Sequence, residues 1–513
     1  MAFQTDHERE LTRRVLWKLD IHILPPLALL WLANFIDRSN IGNARIAGLE
    51  TDTHLHGNQF NIILAVFYAS YLLIELPSNW VLKRMGANRW LPLIVCAWGV
   101  VTTLTGLVHN FAGILAIRIF LGFCEGGLLP GIILYLSTIY KRHELQLRVG
   151  IFYASASLSG AFGGLLATAI TKMDGVGGLS GWRWIFILEG IATFIIGVGS
   201  AFFMPATFAS AKFLTEEEKD FASNRFRADH SAGSATDVMK QSESPVADEK
   251  DEEKRVERTM EDTSEPFTSR PVNQEEEAFE WREVIRGLTD LQTWVTGIAY
   301  FGLIISLYSY SLFLPTIVTG LGYSGAQAQL HTVPPYVPAA VLTVAVAFLS
   351  DRLKWRGPFI LICLPIAIAG YILIIAAKTN SARYAAVFLM AAGVYPSGPC
   401  ILSILPNNSS GHYKKATTTA LQLAIANCGG FLATFIYTKE QAPRYIKGHS
   451  IALAFLCLAW VLILVNVLYC SWENKARAEG RRQQNLILYQ ELWESGKTRA
   501  PIGDRHPDFR FTL

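Results

Sequence analysis

The sequence predicts an all-α polytopic membrane protein with twelve transmembrane helices. Its 513 residues are 51% hydrophobic and have a mean hydropathy of +0.29, a combination that soluble domains of this length seldom show. Apolar windows of about 20 residues recur along the chain, which is the length an α-helix needs to cross a bilayer. A transmembrane β-barrel would instead show short segments of alternating hydropathy.

Twelve apolar segments are the candidate spans, and a long polar break separates the first six from the last six. They are 20–38, 59–82, 89–109, 112–138, 147–172, 183–205, 291–315, 329–350, 357–377, 383–405, 416–438 and 449–471. This arrangement predicts two parallel six-helix lobes. We therefore divide the chain into an N-terminal tail (1–19), two lobes (20–205 and 291–471) joined by a central loop (206–290), and a C-terminal tail (472–513).

The central loop differs from the rest of the chain in composition. Between residues 216 and 280 it holds 20 acidic and 9 basic residues, and from 228 to 276 it is poor in aliphatic residues. Such a segment buries too little apolar area to offset its ordering entropy, so we expect disorder there. Near the start of the central loop, Thr215 is followed by three glutamates. This pattern is typical of a helix start, because a threonine cap and acids in the first turn stabilise that end.

Lysine and arginine are moderately enriched in the loops after spans two, four, eight and ten and in both tails. By the positive-inside rule, this places both termini and the central loop in the cytoplasm. The first span serves as the insertion signal, and we expect a multi-pass protein of the plasma membrane. Since the basic residues sit in short loops beside the spans, they indicate a lipid bilayer and no nucleic acid as the partner.

Arg118 and Glu125 lie inside the fourth span, where each charge costs roughly 2.5–3.5 kcal/mol at mid-bilayer. They are two helical turns apart on the same side, with an axial separation of about 10 Å, so each requires a partner on another helix. Gly122 and Gly126 between them leave room for a neighbouring backbone. The pattern predicts a helix that lines a polar cavity, and the alternative is a buried structural ion pair.

Asp37 and Arg38 end the first span. Adjacent residues lie about 100° apart on a helix, so we expect each to meet a different partner. In the functional interpretation Arg38 binds an anionic substrate and Asp37 is a protonatable carboxylate, whereas in the alternative both are solvated at the membrane interface. Arginine keeps its charge at working pH, while Glu125 can titrate. A fixed cation beside a titratable carboxylate is the minimum chemistry for coupling a proton gradient to uptake of an anion.

Other polar residues in the spans are weaker candidates. Tyr71 is a candidate substrate contact, with aromatic packing as the alternative. Glu75, one turn later, is predicted to belong to a cytoplasmic gate, and Glu189 in the sixth span is expected to be structural. Asn427 is a candidate substrate ligand or an interhelical hydrogen-bonding group.

A basic turn with a glycine follows the second span of each half and indicates an internal repeat. Lys83 and Arg84 occupy it in the first half, and Asp351 and Arg352 in the second, so we assign these four to the cytoplasmic gate. The seven cysteines all fall in apolar spans and lack metal-ligand spacing. With no nucleophile elbow or phosphate loop either, the sequence predicts no enzyme, no metal and no cofactor.

These residues resemble the major facilitator superfamily over nearly the whole chain. The loop 77–90 is similar to the motif between its second and third helices, although the usual aspartate is absent, and Arg118-x-x-x-Gly122 is similar to its fourth-helix motif. More narrowly, the residues from Asp37 to Ala44, the turn from Glu125 to Gly131 and 442–445 resemble the fungal anion:cation symporter branch, with its allantoate and nicotinate permeases.

The resemblance implies proton-coupled uptake of a small organic carboxylate by alternating access. It implies that Arg38, Arg118 and Tyr71 bind substrate and that Asp37 and Glu125 bind protons, in a carrier that we expect to be a monomer. Two alternatives stay open. One is an exporter of a fungal secondary metabolite on the same fold, and the other is a non-transporting nutrient sensor that signals through its central loop and C-terminal tail.

Overall fold

The computed structural model describes residues 6–140, 142–225, 280–498, 500 and 502–513, and within these ranges the chain is helical with no strands. By length and apolar composition, eight helical stretches of the described chain can each cross a membrane. Further long helices stand at the remaining four predicted spans, so the twelve-helix, all-α prediction is confirmed. The disorder expected at 228–276 lies outside the described residues.

The N-terminal lobe has six membrane-crossing helices in the described chain, and the fourth is broken in two. They are α1 (Asp6–Ala44), α2 (Gln59–Met85), α3 (Ala87–Thr105), the pair α4 (Phe111–Glu125) and α5 (Leu128–Ser137), α6 (Arg142–Ile170) and α7 (Gly181–Phe203).

The C-terminal lobe follows the same plan after a short leading helix, and here the second crossing helix is the broken one. The elements are α8 (Trp281–Thr289), α9 (Leu291–Gly320), the pair α10 (Gly325–His331) and α11 (Val333–Leu353), α12 (Gly357–Ala376), α13 (Asn380–Asn408), α14 (His412–Ala433), α15 (Ile446–Ala478) and α16 (Gln484–Glu494).

Alternation of helix direction gives the bundle two ends. The tail end carries the start of α1, the end of α7, the start of α9 and the end of α15, and we call the opposite end the far end. Helix α1 has 39 residues and is roughly 58 Å long at ~1.5 Å per residue, well beyond a hydrocarbon core of about 30 Å. Its first turns therefore extend past the membrane at the tail end, where we had predicted a separate tail.

The lobes meet through α1 with α9, α2 with α14, and α6 with α11. Several of the closest approaches lie at the far end. The side chain of Asn61 donates a hydrogen bond to the backbone carbonyl of Thr434, and a Cβ added to Gly42 would overlap the carbonyl oxygen of Leu312. The far end is therefore closed by backbone contact between the lobes.

At the tail end, a short helix at 216–225 packs against α1. Its first turn has the predicted threonine cap, because the backbone N–H of Glu218 donates to Thr215 Oγ1 over 3.3 Å and the backbone N–H of Thr215 donates back to the Glu218 carboxylate over 2.9 Å. Lys18 Nζ of α1 lies 2.7 Å from the same carboxylate. The cap and the ion pair together fix the beginning of the central loop against the N-terminal lobe.

The C-terminal tail is folded where the sequence predicted only a tail. Helix α15 continues to Ala478, and residues 502–513, which we call the C-terminal strap, cross the tail end of the second lobe. Buried Asp504 forms ion pairs with Lys414 at the start of α14 and with Arg286 of α8. The backbone carbonyl of Leu513 accepts from the backbone N–H of Arg356, so the strap links three helix ends of this lobe.

Candidate functional site

Asp37 points into the N-terminal lobe. One carboxylate oxygen, Oδ2, accepts hydrogen bonds from Trp98 Nε1 over 2.6 Å and from Thr102 Oγ1 over 2.8 Å, both on α3. Only 1% of the residue is exposed. The carboxylate is thus held by two neutral donors.

Arg38, the next residue, points to the contact between the lobes. Its Nη1 donates a hydrogen bond of 2.8 Å to the hydroxyl of Tyr308 on α9. Four aromatic rings surround the guanidinium, with their centroids 5.1–5.7 Å from its central carbon, a distance at which each ring attracts the cation. They belong to Phe35, Phe67, Tyr71 and Tyr308. As expected from their spacing, Asp37 and Arg38 therefore have different partners.

Glu125 is the last residue of α4, where Gly126 and Gly127 break the fourth crossing helix. It accepts a hydrogen bond of 2.7 Å from Asn34 Nδ2, and its Oε2 lies 3.6 Å from Arg38 Nε. Both partners are on α1, so the expectation of a partner on another helix holds for this residue. The other oxygen, Oε1, is buried without a hydrogen-bond partner in the described part of the chain.

Arg118 does not show the close partner on another helix that we expected for it. Its Nε and Nη2 are buried and have no hydrogen-bond partner among the described residues, and no carboxylate of those residues lies within 4 Å of its guanidinium. Three carboxylates act on it at longer range, those of Asp37, Glu125 and Glu189. A lone buried guanidinium keeps its charge, so Arg118 is a cation with N–H groups available to a ligand or to a carboxylate that moves.

Two glycines bring α4 close enough to α2 for this arrangement. A Cβ on Gly122 would lie 2.5 Å from the carbonyl oxygen of Phe67 and would overlap Ser70 Oγ, and a Cβ on Gly126 would lie 2.5 Å from the carbonyl oxygen of Tyr71. The prediction that these glycines admit a neighbouring backbone is confirmed. Close packing of the two helices brings both Tyr71 and Glu125 next to Arg38.

The inter-lobe contact next to Arg38 is aromatic. Tyr68 of α2 stacks on Tyr308 with ring centroids 5.4 Å apart, and Tyr71 is the ring nearest to Arg38. We had named Tyr71 but not Tyr68, although Tyr68 is one helical turn earlier on the same face. Asn34, one turn before Arg38 on α1, was missed in the same way. Helical spacing from a named residue is the signal that would have found both.

Glu75 and Asn427 were predicted to have separate roles, in a gate and in substrate binding. The structure brings them together, since Asn427 Nδ2 of α14 donates a hydrogen bond of 3.1 Å to Glu75 Oε2 of α2. The bond joins the two lobes. Glu75 retains partial exposure while Asn427 is buried, so the pair lies at the edge of the buried site.

The other predicted gate residues make contacts within their own lobes. Arg84 lies over the exposed ring of Trp80, 3.9 Å from its centroid, and Asp351 pairs with Arg356. Arg352 is exposed, and the side chain of Lys83 lies outside the described part. No ion pair of the described side chains joins the two basic turns.

The site is thus a buried group of charged and aromatic side chains where two six-helix lobes meet. In the described chain, no three His, Cys, Asp or Glu side chains lie close enough together to hold a metal ion. Two membrane-embedded lobes with fixed charges between them define a carrier for small solutes. Charged residues kept at membrane depth mark substrate and ion pathways.

Comparison with known proteins identifies the family. Residues 27–434 match the model of the Major Facilitator Superfamily, and the chain belongs to this superfamily, whose members are transporters and not enzymes. An uncharacterized transporter of Schizosaccharomyces pombe is 38% identical over 500 residues, which cover 97% of this chain and 90% of the relative.

Two further relatives and a solved structure are also similar to this chain. A high-affinity nicotinic acid transporter of Saccharomyces cerevisiae is 30% identical over 518 residues, covering 100% of this chain and 88% of that protein. An MFS-type transporter of Penicillium expansum is 32% identical, covering 98% and 90%. The inward-facing structure of a bacterial homologue of the human lysosomal transporter Spinster superimposes with a TM-score of 0.59 at 16% identity, over 91% and 97% of the two chains. The predicted fold is therefore confirmed.

Proposed function

We propose that this protein is a secondary active transporter that couples proton movement to the uptake of a small organic anion, a carboxylate such as nicotinate or allantoate. The observation that carries the proposal is the position of Arg38, a buried guanidinium at the contact between the lobes. It donates a hydrogen bond to the neutral hydroxyl of Tyr308 and lies 3.6 Å from the carboxylate of Glu125. The relationship to a nicotinic acid transporter over the full chain supports the same class of substrate.

Substrate binding follows from the chemistry of this guanidinium. A carboxylate accepts two parallel hydrogen bonds from an arginine fork, and the surrounding aromatic rings offer apolar contact to the organic part of the anion. Arg118 supplies a second fixed positive charge and Tyr71 a hydroxyl near the first. We assign Asn427, which donates a hydrogen bond to Glu75, as the substrate contact of the second lobe.

Proton coupling follows from competition for Arg38. When Glu125 is ionised, it attracts Arg38 over 3.6 Å, and this attraction opposes the binding of a second anion. Protonation of Glu125 removes the attraction and leaves the guanidinium to the substrate. Binding of the anion and binding of the proton therefore favour each other, which is the thermodynamic requirement of symport. Asp37, with its neutral donors, is the second proton-binding carboxylate of the proposal.

Alternating access supplies the movement. The close contact of the lobes at the far end supports an inward-facing state in which the tail end is cytoplasmic. We assign both termini and the central loop to the cytoplasm, the protein to the plasma membrane, and the gate role to Glu75, Lys83, Arg84, Asp351 and Arg352. Opening the far end requires breaking the contact between Asn61 and Thr434.

Uptake by the purified full-length protein in proteoliposomes tests the proposal. Labelled nicotinate, allantoate and pantothenate are offered at two external pH values, with liposomes without protein as the control. A gradient of one pH unit is worth about 1.4 kcal/mol per proton, or about tenfold accumulation for one proton per anion. Accumulation that rises when the outside is acidic supports symport, whereas carboxylate uptake that does not depend on the pH gradient contradicts it.

Glu125→Gln tests the coupling residue, because glutamine keeps the shape of the side chain but cannot release a proton. We expect exchange of internal for external substrate to continue while accumulation driven by the pH gradient is lost. If the variant still accumulates substrate as the parent protein does, Glu125 is not the coupling residue. The direction of accumulation in inside-out vesicles distinguishes uptake from export. If a variant that lacks residues 228–276 keeps full uptake, that result argues against the nutrient sensor.

A further inference from the structure

A second polar group lies behind Arg38 and Glu125, toward the far end of the N-terminal lobe, and its central residue is Glu189. Helix α7 starts at the far end with Gly181, and Glu189 is eight residues further along, about 12 Å at ~1.5 Å per residue. Glu125 is fourteen residues into α4, which starts at the same end, or about 21 Å. Glu189 therefore lies between the far end and the proposed substrate site.

Asparagines of α1 hold Glu189 in place. Asn40 Nδ2 donates a hydrogen bond of 2.9 Å to Glu189 Oε2, and Asn40 Oδ1 accepts one of 3.0 Å from Asn43 Nδ2. The second oxygen, Glu189 Oε1, is buried and has no hydrogen-bond partner among the described residues. These amides orient the carboxylate but bring no positive charge to it.

The charged groups that face Glu189 come from two neighbouring helices. Helix α3 has no charged residue after Arg89, and α6 has no titratable residue from 154 to 170. On α7 itself, Arg183 is directed to the carbonyl oxygen of Gly106. The groups that act on Glu189 are Asp37 of α1 and Glu125 and Arg118 of α4.

Three buried carboxylates thus share one cation that has no close partner. Asp37 has two neutral donors, and Glu125 has an amide and the guanidinium of Arg38. Glu189 has a single amide, and no cation of the described chain lies within 4 Å of it. Because an ionised carboxylate buried without compensation is very costly, Glu189 is the one of the three that most needs a proton in this arrangement.

We propose that Glu189 is a further proton-binding residue of the transport cycle, with Arg118 as its alternative partner. In the arrangement seen here, Glu189 carries the proton and the guanidinium of Arg118 is unpaired. When the proton passes through water to the carboxylate of Glu125 or Asp37, one O–H bond breaks at Glu189 and another forms at the acceptor. Ionised Glu189 then pairs with Arg118. This inference rests on the proposed proton coupling and adds a step between the far end and Glu125.

Infrared difference spectroscopy between two pH values detects protonated carboxylic acids directly and needs no substrate. We expect the full-length protein in proteoliposomes to show a titrating carboxylic-acid carbonyl band that Glu189→Gln removes. Glu216→Gln, which changes a carboxylate at the tail end whose side chain is 88% exposed, should keep the band. Glu189→Asp keeps a carboxyl group and should shift the band without removing it. A spectrum unchanged by Glu189→Gln overturns the inference.

Transport separates this inference from the proposed function. With labelled nicotinate as the probe, Glu189→Gln should retain exchange but lose accumulation driven by a pH gradient, and a dye trapped inside should report less proton entry. If the parent protein accumulates nicotinate with protons and the variant does so equally, Glu189 carries no proton and only the further inference fails. If the parent protein moves no protons with nicotinate, allantoate or pantothenate, the proposed function fails. The infrared band still decides whether Glu189 binds a proton.

Discussion

Arg38 of the first lobe and Tyr308 of the second share a hydrogen bond of 2.8 Å from guanidinium to phenol oxygen. In the alternating access that we propose, the two residues belong to lobes that move relative to each other. A substrate carboxylate that takes the same N–H groups would replace this bond and change what joins the lobes at the site. Under the proposed function, binding of the anion and separation of the lobes would be linked through one guanidinium.

Arg38→Lys should weaken substrate binding strongly, because lysine lacks the planar fork and cannot bind a carboxylate with two parallel bonds. Hydrogen bonds to charged groups contribute about 1.5–3 kcal/mol, so we expect KM for uptake to rise by roughly 10- to 100-fold. Tyr308→Phe is the matched variant, since it removes one hydroxyl and keeps the ring beside Tyr68, and its KM should rise by less than about tenfold. An unchanged KM in Arg38→Lys would exclude Arg38 as the anion-binding residue.

Glu75 and Asn427 should be energetically coupled across the lobes. In a double-mutant cycle with Glu75→Gln and Asn427→Ala, the interaction energy from exchange rates should be on the order of 0.5–3 kcal/mol, as for residues in contact. The control cycle pairs Glu75→Gln with Asn466→Ala on α15. Asn466 forms no hydrogen bond with Glu75 in the described part of the chain, so the two effects should be additive. Additivity in the first cycle would show that the bond has no part in transport.

Gly122→Ala should destabilise the protein, because the added methyl group would clash with Ser70 Oγ and the carbonyl oxygen of Phe67. Overpacking of this kind costs typically 1–3 kcal/mol, and we expect a lower Tm in detergent. Gly199→Ala on α7 is the matched control, since no atom lies within 4 Å of its Cβ position. Equal Tm values for the two variants would mean that α2 and α4 can separate freely.

Asp504→Asn should loosen the C-terminal strap, because Lys414 and Arg286 each lose one of two carboxylate partners. Lys414 keeps Asp290, and Arg286 keeps Glu283. Hydrogen bonds to charged groups contribute about 1.5–3 kcal/mol each, so the substitution weakens the attachment of this short segment. Hydrogen exchange at residues 502–513 should accelerate. Asp508→Asn, whose side chain is 79% exposed, is the control and should leave the exchange as it was.

The contact between the short helix at 216–225 and α1 should depend on pH. Burial raises the pKa of Glu218, but the hydrogen bonds from Lys18 and from the backbone N–H of Thr215 outweigh it and lower the pKa below the ordinary value. A carboxylate with a lowered pKa stabilises the fold above its unfolded pKa and loses that contribution as the pH falls through the folded pKa. Hydrogen exchange at 216–225 should therefore accelerate only in acid, and Glu218→Gln should abolish the pH dependence. Glu216→Gln, at an 88% exposed side chain, should preserve it.

The sequence alone determined the fold class, because twenty apolar residues in a row have few stable arrangements other than a membrane-crossing helix. It also pointed to Asp37, Arg38, Arg118 and Glu125, since a charge retained at membrane depth is too costly without a function or a partner. The glycines of α4 were predictable for the same kind of reason, as small residues mark close helix contacts.

Only the tertiary structure decided which of these residues are partners. Helical periodicity fixes the side of a helix but not the helix it faces, so the bond between Glu75 and Asn427, the lone position of Arg118 and the place of Glu189 behind it could not be read from spacing. The C-terminal strap shows the same limit, because its order depends on Lys414, Arg286 and Arg356, which are distant in sequence. Pairing across helices depends on how the whole bundle packs, and the local sequence does not determine which helices come together.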